Sequence, residues 1–109
     1  MAKTLTFEFE GQAYTLEYTR RTVSEMERDG FIAADIDRMP MTLLPKLFGG
    51  AFLAHHRFVK KEVIQKIYDS MRDKTELIGK LAEMYNEPLN ALVADPEESE
   101  GNVVWTANW

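Results

Sequence analysis

The chain has 109 residues, 45% of them hydrophobic, a formal net charge of -5 and no cysteine. A single domain of this length buries roughly 60 to 70% of the surface its unfolded chain exposes, which excludes disorder throughout. The missing cysteines exclude a disulfide framework, a thiolate metal site and a cysteine nucleophile.

Charge is divided unevenly. All 13 Lys and Arg lie at or before Lys80, whereas Glu83, Glu87, Asp95, Glu97, Glu98 and Glu100 follow it. An acidic end repels phosphate backbones and anionic headgroups, so neither nucleic acid nor a membrane is the expected partner. No apolar run approaches the roughly 20 residues of a membrane span, and Met1 to Glu10 alternates where a signal peptide would be continuously apolar. The expected location is the cytoplasm.

In chain order, Leu5, Phe7 and Phe9 alternate with Thr6 and Glu8, and Tyr14, Leu16 and Tyr18 alternate with Thr15 and Glu17. That is the period of two half-buried strands, and Glu10-Gly11-Gln12 joins them as a hairpin. Thr22-Val23-Ser24-Glu25 matches a capping box and predicts a short helix to about Asp29, with Gly30 as its stop. Phe31 to Met39 reads as irregular. The next helix is predicted from a Thr42 cap, with Pro45 in its first turn, to about His56. Its broad apolar face includes Leu44, Leu47, Phe48, Ala51, Phe52 and His55. Gly49-Gly50 marks either a close backbone approach or a break between two shorter helices.

A third helix is predicted from about Lys60 to Met71. A fourth follows the Asp73 to Glu76 capping box, with Leu77, Ile78, Leu81, Ala82 and Tyr85 as its stripe. Pro88 predicts a kink near Asn86 or a fresh start beyond it. Asp95 to Gly101 has the composition of an acidic linker. Val103, Val104, Trp105 and Trp109 then form an apolar C-terminal segment, which either adds a third strand to the hairpin or docks on a partner. The expected fold class is α+β: one domain over residues 1–94 with a hairpin packed on three to five helices, the linker 95–101, and the segment 102–109.

Chemistry finds little purchase. None of the three serines sits in a G-x-S-x-G elbow, and no phosphate-cradling glycine motif occurs. Asp35-Ile36-Asp37 lacks the glycine and glutamate of a calcium loop. His55 and His56 are adjacent, so on a helix they diverge by about 100° and cannot share one metal; His55 is expected at the core's rim and His56 in water. No catalytic residue, cofactor or metal is expected. The cluster His55, His56, Arg57, Lys60, Lys61 reads as a solvated helix end, and a small DNA-binding regulator built on it is the least favoured reading.

The runs Leu5 to Gly11, Tyr14 to Arg20, Met39 to Pro45, Leu47 to Arg57 and Leu77 to Pro88 resemble a family of small proteins encoded by tailed phages and prophages of Gram-positive hosts. The resemblance covers roughly Lys3 to Ala94. That family is similar to tail assembly chaperones. The resemblance implies a protein that binds and solubilises the tape-measure protein in the bacterial cytoplasm and is absent from the mature virion. The major tail protein is a further candidate partner, and whether a second copy of the chain is another is left open by the sequence. A head-tail joining or tail-completion protein is the alternative. The residues proposed for partner contact are Phe48, Phe52, Val103, Val104, Trp105 and Trp109.

Overall fold

The structure, a computed structural model, describes residues 3–94 and 103–109. It is an α+β fold in which an N-terminal hairpin packs on four helices. Strands β1 (Leu5–Phe9) and β2 (Gln12–Leu16) pair antiparallel, with Leu5 opposite Leu16 and Phe9 opposite Gln12. Glu10 and Gly11 both take positive φ, at 50° and 79°. That is the signature of the tight hairpin turn whose twist matches the strands it joins. The alternation works as expected: Thr6 and Glu8 are exposed while Phe7 stacks on Tyr14 at 5.3 Å.

Helix α1 (Arg20–Arg28) begins two residues before the predicted start. Thr19 is its cap, with Thr19 and Thr22 bonding each other's backbone amide. The Thr22 to Glu25 box does not form, because Thr22 is already the third residue of the helix with its hydroxyl and amide bonded to Thr19, and the Glu25 carboxylate is engaged by Arg57. Gly30, at φ +93°, ends the helix as predicted, and the Phe31 amide bonds back to the Met26 carbonyl at 2.9 Å. The irregular stretch beyond it holds one 3-10 turn, Ala33–Asp35.

Helix α2 (Pro40–Gly50) corrects the prediction at both ends. Pro40 occupies its first turn, where a missing amide costs nothing, and Thr42 and Pro45 lie inside it. It stops at Gly50 instead of His56. Leu43, Leu47 and Phe48 are buried, Leu44 is half-buried and His55 is exposed beyond the helix end. The glycine pair divides its roles. A Cβ at Gly50 would meet the Met26 side chain at 2.5 Å, whereas one at Gly49 would meet nothing within 4 Å. Close approach explains the first glycine only.

Helix α3 (Lys61–Ser70) follows its predicted span. Helix α4 (Lys74–Val93) is preceded by Asp73 in a left-handed conformation, φ 52°, without a side-chain capping bond. The predicted capping box is therefore absent. Pro88 lies buried inside α4, which continues through it as one element. Leu77, Leu81, Met84 and Tyr85 are its buried stripe, and Ala82 faces out.

Two aromatic groups organise the core. Phe7, Tyr14, Phe52, Phe48 and Tyr68 form a continuous edge-to-face and stacked chain from the hairpin through α2 to α3. Tyr18, Tyr85 and Phe31 form the other, between the end of the hairpin, α4 and the segment after α1. Full burial stabilises by about 1.5 to 3 kcal/mol per large apolar side chain, so these groups and the buried Leu16, Leu47, Ile67 and Leu81 together hold the elements to one another.

Among the described residues the sheet has two strands, and Val103 to Trp109 forms no third. The outer edge of β2 is already occupied. The Thr15 amide donates to His56 Nε2 at 3.0 Å, and the Glu17 amide just beyond β2 donates to the Ala51 carbonyl at 3.1 Å. The linker 95–101 lies outside the described residues. No helix among those described is long and apolar enough to cross a membrane.

Candidate functional site

The six residues proposed for partner contact separate into two sets. Phe48 and Phe52 are each 1% exposed and belong to the core. Their expected role at a surface is corrected: edge-to-face packing on each other and on Tyr14 and Tyr68 uses the area a partner would need. Val103, Val104, Trp105 and Trp109 are all exposed, Trp105 at 80%. Four large apolar side chains are thus exposed within seven residues of open chain.

A second surface feature had no counterpart in the sequence reading. An open groove of about 810 Å³ runs between α2 and the stretch from Leu53 to Gln65. Pro45, Gly49, Leu53, Val59 and Ile64 supply its apolar wall. Lys46, Arg57 and Lys61 line it with positive charge, against Asp29 as its one acidic lining residue. The groove exists because α2 stops at Gly50. Turns over the next residues carry the chain back across the hairpin, and that reversal leaves a trough beside the helix.

The reversal is held by the basic cluster, which the sequence suggested was merely solvated. His56 is half-buried, packs on Tyr14 at 5.0 Å and accepts the Thr15 amide through Nε2. His55 is the exposed one, with Nε2 2.7 Å from Glu17 Oε1. The expected placement of the two histidines is thus exchanged. Arg57 donates two hydrogen bonds to the Glu25 carboxylate, at 2.8 and 2.9 Å. These bonds and the guanidinium charge hold Glu25 below the ordinary carboxylate range and push Arg57 up.

Tyr18 completes the joint. Its hydroxyl donates to the Leu47 carbonyl in the last turn of α2, where the carbonyls beyond it, those of Phe48, Gly49 and Gly50, accept the amides of Ala51, Phe52 and Leu53. Burial, and after it the neighbouring Tyr85, push the Tyr18 hydroxyl far up from its ordinary value. Among the described residues no group of three or more His, Cys, Asp or Glu side chains is placed to hold a metal ion.

The described surface thus carries exposed apolar side chains on one segment, and an apolar trough with a basic edge on the body. The family model for a domain of unknown function, DUF5055, matches residues 1–109. The chain belongs to the DUF5055 family. No curated protein and no solved structure gives a match. The apolar character of the C-terminal segment of this DUF5055 chain was legible from composition, and its exposure instead of a place in the sheet was not. The groove was not, because it depends on where α2 ends, and the glycines there permit both continuation and arrest. The one available signal was Gly49-Gly50 itself, read as a possible break.

Proposed function

We propose that this DUF5055 protein is a tail assembly chaperone of a tailed phage, which binds the tape-measure protein and keeps it soluble while the tail tube forms. The resemblance over Lys3 to Ala94 supports the reading. The single observation that carries it is the exposure of Val103, Val104, Trp105 and Trp109, while Phe48 and Phe52 are held in the core and Phe58 alone among the body's phenylalanines is fully exposed. On this reading the protein acts by lending apolar surface and transforms no substrate.

A tape-measure protein presents a long apolar helical surface that aggregates when unprotected. Tryptophan suits the task of covering it, since one side chain supplies a large contact area at small entropic cost. The acids Asp95, Glu97, Glu98 and Glu100 keep the covered complex charged and dispersed. Many weakly bound copies along one client hold it collectively, and each can still yield its place to the major tail protein as the tube grows. The protein then stays in the host cytoplasm and does not enter the virion.

Co-expression tests the reading. The tape-measure protein is expected in the soluble fraction, co-purifying with this chain, and in the pellet when paired with a Trp105→Ser, Trp109→Ser variant. An insoluble tape measure beside soluble wild-type protein sinks the proposal. Stoichiometric recovery from purified virions would instead make this a head-tail joining or tail-completion part.

A further inference from the structure

We infer that the groove beside Gly49 is the receptor for the Val103 to Trp109 segment of a second copy of this chain, so that two copies exchange these segments when no client is present. The inference needs no client, and its failure leaves the chaperone reading standing.

Three observations carry it. The segment is unseated in the single chain: Val103, Val104, Trp105 and Trp109 are all exposed, so its apolar face is left for another molecule. The groove is opposite in charge to the sequence that leads into the segment. The segment follows the acids Asp95, Glu97, Glu98 and Glu100, and the trough is edged by Lys46, Arg57 and Lys61. Arg57 is shared with Glu25, but Lys46 and Lys61 pair with no carboxylate among the described residues.

The third observation is Gly49. It lies inside α2, where glycine is unfavourable, and its own chain does not require it, since an added Cβ would touch nothing within 4 Å. It also lines the groove. A glycine at such a place leaves room for an extended segment to approach the helix backbone closely. Nine peptide steps separate Ala94 from Val103, a reach of up to about 30 Å when extended. A tether of that reach lets the tryptophans of one copy enter the trough of the other. Exchange between two copies is self-complementary: each gives one segment and receives one, closing a two-fold dimer that does not propagate.

Sedimentation of the full chain decides the matter. Wild-type protein is expected to be dimeric at roughly 100 μM and to dissociate on dilution, as a micromolar interface does. Gly49→Leu projects a side chain into the trough from a Cβ position that meets nothing of its own chain within 4 Å, and should sediment as a monomer while melting no earlier than wild type. The Trp105→Ser, Trp109→Ser variant should also be monomeric, and Lys46→Glu with Lys61→Glu should weaken the dimer at least ~10-fold. A wild type that stays monomeric throughout, including one whose segment seats in its own groove, overturns the inference. So does either the Gly49 or the tryptophan variant that dimerises as wild type does.

Discussion

At the scale of single residues, Tyr18 joins the hairpin to α2 with one hydroxyl, and its burial makes that joint sensitive to alkali. The folded form holds the phenol proton well above the ordinary tyrosine value of 10.0. Above that pH the unfolded chain releases the proton while the folded chain keeps it, so the unfolded state binds fewer protons and stability falls as pH rises. Denaturant melts across the alkaline range are expected to show this decline. Tyr18→Phe should flatten it, at a cost of about 1 kcal/mol at neutral pH for the lost bond to the Leu47 carbonyl. Some slope will persist, because burial also raises Tyr85. Glu25 has the opposite sign. Its depressed value adds stability at neutral pH that fades on acidification through the folded-state value, but the pair is exposed and its contribution is small.

At the scale of elements, the two adjacent glycines of α2 should respond oppositely to the same change. Gly49→Leu replaces the poorest helix former but proline in open space and should raise stability by about 0.5 to 1 kcal/mol. Gly50→Leu drives a side chain into Met26, which is itself buried, and should lower stability by about 1 to 3 kcal/mol. Thermal melts in dilute protein separate them. The same pair shows how far the sequence could be read. Local signals sufficed for the hairpin, whose period of two and positive-φ glycine are written in adjacent residues, and for the Gly30 stop. Where a distant residue intervened they did not. Glu25 looks like half of a capping box until Arg57, 32 residues on, engages it. The need for glycine at position 50 comes from Met26, 24 residues earlier, lying against it, and the third strand was pre-empted by His56 and Ala51 on the edge of β2. Pro88 breaks an isolated helix, but here tertiary burial carries α4 through it.

At the scale of the whole molecule, the cohesive contacts lie within residues 3–94, and the described remainder is exposed. A chain ending at Ala94 should therefore fold with a melting temperature within about 4 °C of the full protein in dilute solution, as expected for loss of surface groups alone. A larger drop, seen by calorimetry, would show that the C-terminal segment braces the body. The division also has an optical side. Both tryptophans of the chain are in that exposed segment, and the body holds only tyrosine and phenylalanine. Indole emission from the unmodified protein is consequently blind to unfolding of the body and reports solely on what the tail touches. Any blue shift or loss of quencher access on mixing with another molecule reads out that encounter without a dye or a label.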